Sequence, residues 1–574
     1  MLKIWKSPYS RFHSPLDVIN TLASETFTAD VVYTDETLKF IADNSFNGIY
    51  IHGLLHNIVK QEEFPEFGIY ADVQQEKLRN LIERAAKHGI KVFLFMQPPR
   101  ALPAKLDFWK SYQDIAGASE TIDWDDLKCP TPFISLCTST EKVRRYLRGA
   151  FANLSKALPE LGGYIIISAS EYPGHCYVRP MTAKRSCPRC SKRSSSEVIA
   201  ELLCTIHRGM RDASATQEMI VWNWSWNDVA DEREIITVLP SDIICMADFE
   251  RGGRYSMLGH ADHIIDEYAL CYPGPSERFT EAAEIAAKHG LRIAAKLQFG
   301  TTHELATVPN LPIIPNIFTK ANYLRKHDFA GFLGCWNFGN MMSANTAAFH
   351  FFMNKEVPDD CNAAMKAFAA DYFPECIPEK IVEAWLIFAD AITHFPHSIP
   401  FLYQGPVNWA LGYFVPPGPM QGKGGNSFQV NERGDDISTV FKRCTFSLDE
   451  AIQGFEYISG RWREGVEVFK DGINKTQNIH SREELGIAVV CGEVYRSTYN
   501  YLRLYRMKLE RNTTEGEEYH KICADELENV KTALPWVEAD KRIGFHPEAQ
   551  GYLFDVPRLK EKISKLKQVL KISG

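Results

Sequence analysis

Three carboxylates, Glu171, Asp248 and Glu304, each follow an apolar run that reads as a β-strand. Carboxyl groups delivered by strand ends can serve as acid, base or nucleophile. The stretch "YIIISASEYPGHC" (164–176) starts as a strand at Tyr164 and then presents Ser170, Glu171, a Pro-Gly turn, His175 and Cys176. "ADFER" (247–251) presents Asp248, Glu250 and Arg251, and "KLQFGTTHE" (296–304) presents Gln298, His303 and Glu304. Other apolar runs end in His52, with His56 nearby, in Gln97 and Arg100, in Trp222, Asn223, Trp224 and Trp226, and in Trp336, Asn337 and Asn340. Trp faces stack on the C–H surfaces of sugars, while Asn, Gln, His and Arg bond hydroxyls. The set therefore points to a carbohydrate site, with Glu171, Glu304 and Asp248 as catalytic groups. His52, Arg100, Asn223, Trp224, Glu250, Gln298, His303, Trp336 and Asn337 would contact the substrate. Each has a structural alternative. Trp222, Trp224 and Trp226 alternate and would share one face of a strand, as core residues do. Glu250 and Arg251 could form a surface ion pair, and His175 could cap a loop.

The segment "HCYVRPMTAKRSCPRC" (175–190) carries a second chemistry. His175, Cys176, Cys187 and Cys190 have the types and the C-x-x-C spacing of a tetrahedral zinc site, with the distant Cys137 as an alternative fourth ligand. Such a site, rich in thiolates and closed to water, would be structural. No cofactor is expected for catalysis. A Gly-rich phosphate loop, a G-x-S-x-G elbow and an H-x-H pair on a strand are all missing from the sequence, which disfavours phosphate, serine-hydrolase and metal-hydrolase chemistry.

The elements that must position these groups alternate. Strands are read at 47–53, 91–97, 164–170, 219–226, 242–249, 292–300 and 331–339, with one more expected within 1–35. "AAKHGIKVFLF" (85–95) is echoed by "AAKHGLRIAAK" (286–296), each the end of a helix, a glycine and an apolar strand. Gly89 and Gly290 suit the left-handed position that closes a helix. Strands alternating with helices imply a parallel sheet, and eight such units imply a closed (β/α)8 TIM barrel, here over residues 1–355. An open doubly wound sheet is disfavoured, since no G-x-G-x-x-G follows a strand. Residues 356–574 read as a mainly helical region, with helices at 379–395, 446–470, 485–511 and 515–533. The segment 401–436, rich in Gly, Pro and aromatics, is expected to form an ordered lid or rim.

The chain has 574 residues, 45% hydrophobic and 24% charged, with a net charge of −8. Without a basic stripe, nucleic-acid binding is not expected. No run approaches the ~18 apolar residues of a membrane span. The tail "RLKEKISKLKQVLKISG" reads as a solvated amphipathic helix rather than a membrane anchor. The start, "MLKIWKSPYSRFHSP", lacks the apolar core of a secretion signal, and 14 Cys in a chain of this length is not disulfide-scaffold density. Both suggest a cytoplasmic protein with reduced thiols. Oligomerisation through the helical region is a further expectation.

An acid after strand 4 paired with a carboxylate after strand 7 resembles the retaining barrel glycosidases, which usually carry Asn where this chain has Ser170. "ASEYPG", "ADFER" and "THEL" are similar in order to the acid and base loops of bacterial α-glucuronidases, which are inverting. The substrate-assisted hexosaminidases are similar in class but carry an Asp-Glu pair where this chain has Ser170-Glu171. The resemblance implies an exo-acting glycoside hydrolase on an oligosaccharide, with Glu171 as proton donor and Glu304 as nucleophile of a double displacement. Inversion, with Asp248 helping Glu304 activate water, is the alternative. A non-catalytic carbohydrate-binding barrel should have lost these carboxylates.

Overall fold

The computed structural model describes residues 1–10, 25–122, 131–170, 174–178, 187–213, 216–336, 338–413, 438–473, 478–511 and 516–572. Eight parallel strands close into a barrel. Numbered in chain order, they are β1 Leu2–Trp5, β2 Gly48–His52, β3 Lys91–Met96, β4 Gly163–Ile167, β5 Glu218–Trp222, β6 Ile244–Asp248, β7 Arg292–Lys296 and β8 Gly331–Leu333. The strand expected within the first 35 residues is β1, which pairs with both β8 and β2 and closes the ring.

The strands are apolar on both faces because both are covered. Tyr50, Phe93, Phe95, Ile165, Ile167, Trp222 and Met246 fill the barrel interior. Their neighbours Ile49, Ile51, Val92, Leu94, Ile166 and Val221 pack outward against the helices. This period of two is what a strand imposes. The echoed αβ units are both present. The helices Ala71–Ala86 and Glu277–Lys288 precede Gly89 (φ 70°) and Gly290 (φ 72°), each followed by a barrel strand. A positive φ there turns the chain sharply from helix to strand at little cost only for glycine.

Two insertions rise from the barrel. Leu102–Pro103, Ala116–Ile122 and Thr131–Leu136 form a small sheet between β3 and β4, and Arg254–Met257 pairs with His260–Ile264 between β6 and β7. Both leave the C-terminal ends of strands, where barrel enzymes build their sites.

After β8 the chain is mainly helical: Cys361–Tyr372, Pro378–Ile392, Leu448–Gly472, Ile479–Arg511, Glu517–Ala539 and Val556–Val569 are the longest helices. Residues 414–437, most of the expected lid, lie outside the described residues. The tail helix packs onto the body. Leu559, Lys562 and Leu566 are buried, and the Lys562 ammonium lies 2.5 Å from Glu526 while donating to the carbonyls of Ala410 and Leu411. Among the described residues, no helix is long and apolar enough to cross a membrane.

Candidate functional site

A cavity of about 700 Å3 opens at the C-terminal mouth of the barrel. That volume falls in the usual range of small-molecule sites. Its wall takes Ser170 from the end of β4, Trp224 and Ser225 from beyond β5, and Arg251 from beyond β6. Glu120 of the small inserted sheet, Glu267 of the β6–β7 connection and Tyr403 of the helical region complete it. A second cavity, about 590 Å3, lies between the helices Glu232–Ile236 and Glu277–Lys288 and takes Asn227 and Arg254 from the connections past β5 and β6.

Glu267 stands on the wall of the mouth cavity as a nearly buried carboxyl group. It is 7% exposed. Its Oε1 accepts from its neighbour's backbone, Tyr268 N, at 3.1 Å, and its Oε2 from the Tyr403 hydroxyl at 3.4 Å. Burial raises its pKa to about 7, against the pull of the nearby Arg251 and Lys296 cations. A carboxyl group poised near neutrality suits proton transfer. Tyr403 also meets His303 Nε2 at 3.4 Å, so barrel and helical region share this cluster. The Lys296 ammonium sits 3.0 Å from the centroid of the Tyr268 ring, and Nζ has no hydrogen-bond partner among the described residues. Burial pushes Lys296 down to about 8. The aromatic wall is Trp224, edge-on to Tyr268 at 5.9 Å and backed by Trp222 and Trp336.

Several residues expected to touch substrate are instead posts beneath the mouth. Glu304 is fully buried and its carboxylate faces the protein. Oε1 accepts from the backbone of Leu270 (2.7 Å) and Cys271 (2.9 Å), and Oε2 accepts from the Thr302 hydroxyl. Both oxygens of the expected nucleophile are thus engaged by donors of the protein. Asp248 accepts from Trp222 Nε1 at 2.8 Å and is ion-paired to Arg278 at 3.1 Å. Asn223 is buried, taking the Asp248 N–H on its Oδ1. Glu250 pairs with Lys320, not with Arg251, at 2.5 Å, and both side chains are wholly buried. Arg251 instead donates to Trp224 O and bridges to Asp228. Gln298 donates to Thr301 O and Cys335 Sγ. His52 and Trp336 stack within the barrel's aromatic interior. Arg100 donates to Gln97 Oε1, and Gln97 donates to Ser170 Oγ, a chain that ends on the cavity wall. His303 reaches the site through Tyr403. Trp226 does not share a face with Trp222, because β5 has ended. It turns into the outer core and donates to Ser168 Oγ. Glu171 and Asn337 lie outside the described residues.

Of the two fourth ligands expected, His175 and Cys137, it is Cys137 that groups with the other three cysteines. Cys176, Cys187 and Cys190 come together with Cys137, their sulfurs within 4.8 Å of one another and all four residues buried. His175 is not among them. Its Nε2 donates to Ser168 O and its Nδ1 accepts from Tyr177 N at 3.2 Å, so both ring nitrogens are used within its own loop. Burial lowers its pKa to about 4.

The two roles of Glu304 separate experimentally. Glu304→Gln keeps an acceptor oxygen for the two backbone N–H groups and should retain activity within a few-fold. Glu304→Ala strands those donors and should destabilise the fold by about 1–3 kcal/mol for each. Steady-state rates and denaturant melts check both. A glutamine variant that folds normally and is dead would restore Glu304 as nucleophile.

The fold class is thus a (β/α)8 barrel whose mouth is completed by a helical C-terminal region. The chain is similar to a GH138 enzyme targeting pectin rhamnogalacturonan II, with a TM-score of 0.55 at 10% identity, covering 99% of this chain and 67% of that one. At that identity the likeness is one of fold. Weaker matches include a Thermobaculum terrenum O-GlcNAc hydrolase mutant (TM-score 0.36, 9% identity, 94% of this chain and 93% of that one). A Flavobacterium johnsoniae chitobiase gives a TM-score of 0.38 at 12% identity, over 98% of this chain and 78% of that one. No protein-family model matches the sequence, and no curated protein matches it significantly.

Proposed function

We propose that the protein is a glycoside hydrolase that releases a terminal sugar from an oligosaccharide, with Glu267 as proton donor and Glu171 as the second carboxylate. The observation that carries this reading is Glu267, a nearly buried carboxyl group on a cavity wall at the barrel mouth, with its pKa raised to about 7. A group that is half protonated near neutrality can give its proton to a departing glycosidic oxygen. Glu171 follows Ser170, which lines the same cavity. A carboxylate there would attack the anomeric carbon, and water would then cleave the glycosyl-enzyme with Glu267 acting as base, a retaining double displacement. Trp224 offers a stacking face. The inserted sheet and the helix Ile399–Gln404 both add to the cavity wall beyond the strand ends, which favours a chain end over a chain middle. The fold likeness to a GH138 enzyme supports the class.

The test is a screen of purified protein against aryl glycosides and fragments of rhamnogalacturonan II, the polymer named for that similar enzyme. Hydrolysis with the first-formed sugar retained in configuration by NMR is expected. An inverted product would remove the double displacement, and no turnover across the panel would remove the glycosidase reading.

A further inference from the structure

The four-cysteine cluster draws its ligands from three separate stretches of chain. Cys137 follows the strand Thr131–Leu136 of the inserted sheet, Cys176 lies in the segment after β4, and Cys187 and Cys190 precede the helix Ser195–Asp212. Cys137 Sγ stands 3.7 Å from Cys187 Sγ and 3.6 Å from Cys190 Sγ. A disulfide would require about 2.05 Å. Sulfurs held about 2.3 Å from one tetrahedral zinc ion sit ~3.8 Å apart, which these distances match.

The surroundings are those of thiolates. Every sulfur has one polar partner from outside the set of four sulfurs. Ala118 N points at Cys176 Sγ (3.3 Å) and Cys190 N at Cys187 Sγ (3.4 Å). Arg189 Nε points at Cys137 Sγ (3.3 Å), and the Ser139 hydroxyl meets Cys190 Sγ at 3.2 Å. One donor per sulfur orients ligands that surround a cation, and the guanidinium offsets part of the charge of four thiolates. Gly117 leaves the room this needs, since a Cβ there would lie 2.5 Å from Cys176 Sγ and 2.9 Å from Ser135 O.

We propose that Cys137, Cys176, Cys187 and Cys190 bind one structural zinc ion that clasps the segment after β4 to the inserted sheet. Four protein sulfurs leave no open position for water, so the ion takes no part in hydrolysis. Its effect on the site is mechanical. Ser170 N donates to Val178 O at 3.0 Å, and both residues line the mouth cavity only a few residues from Cys176. The clasp is independent of whether the cavity cleaves sugars.

The experiment is metal analysis and zinc-edge X-ray absorption on the full chain, purified without chelator. One zinc per chain with four sulfurs at about 2.3 Å is expected. His175→Ala should keep that zinc and its four-sulfur shell, and Cys137→Ser should lose it and melt at a lower temperature. If Cys137→Ser does not fold, cobalt exchanged into the wild-type protein should show the intense thiolate charge-transfer bands of a four-sulfur site. No metal, iron in place of zinc, or a shell with one nitrogen that His175→Ala abolishes would each overturn the proposal.

Discussion

Glu267→Gln should lower kcat/KM by about 10²–10⁴-fold on glycosides with poor leaving groups, the usual contribution of a positioned general acid. The same variant should lose far less on aryl glycosides, whose phenolate leaves without a proton. Glu171→Gln should be crippled on both, because a nucleophile is needed whatever departs. The wild-type pH profile carries a second signature. Glu267 must hold its proton in the free enzyme, and its pKa is pushed up to about 7 by burial. Activity should therefore fall as pH rises through about 7, and this alkaline limb should vanish from the residual activity of Glu267→Gln. If the leaving-group dependence appears in Glu171→Gln instead, the two carboxyl groups exchange roles. If neither variant shows it, the proton comes from elsewhere.

Glu267 escaped sequence reasoning for a physical reason. The barrel was legible because seven apolar runs alternate with helical stretches, an eighth being implied ahead of them, and because Gly89 and Gly290 mark the same helix-to-strand turn twice. Residues immediately after the strands were then the natural candidates. Some residues just past a strand, such as Ser170 and Trp224, do reach the cavity wall, whereas others turn into the protein. Asp248, Glu250 and Glu304 are held there by Arg278, by Lys320 and by backbone N–H groups. The rest of the cavity wall comes from the insertions and from the helical region. Glu267 follows a hairpin of its own, Arg254–Met257 with His260–Ile264, and Tyr403 arrives from the helical region. Neither position has a local pattern that separates it from an ordinary loop. The cysteine cluster shows the opposite case. C-x-x-C is a local signal and was readable, whereas Cys137, fifty residues from Cys187, was readable only as an alternative fourth ligand and joins through the inserted sheet. His175, the other candidate for fourth ligand, has its ring spent on Ser168 and Tyr177.

Lys320→Met should cost about 3–5 kcal/mol of stability, the usual penalty for breaking one side of a buried ion pair. Lys320 and Glu250 are both fully buried, 2.5 Å apart. The ammonium also donates to Ala269 O and Gln298 O, each at 2.9 Å, and Glu250 Oε1 accepts from Gln298 N at 2.8 Å. Glu250 Oε2 has no partner among the described residues. Removing the lysine therefore leaves a carboxylate in the interior with one backbone donor, no ion-pair partner in contact and Lys296 as the remaining cation acting on it. Removing both charges is a different matter, because the desolvation of each ion is then recovered along with the lost attraction. Lys320→Met with Glu250→Gln should thus melt well above Lys320→Met alone, and a thermal-melt double-mutant cycle measures the difference. The pair also fastens the helix Ile314–Lys326 to the ends of β6 and β7 and to the segment just past Glu267. The single variant should consequently lose activity at temperatures where it is still folded, through a loosened Glu267, and the double variant should recover part of it. Single and double variants that melt alike would show that the charge on Glu250 is not the cost, and that the pair does not hold this side of the site.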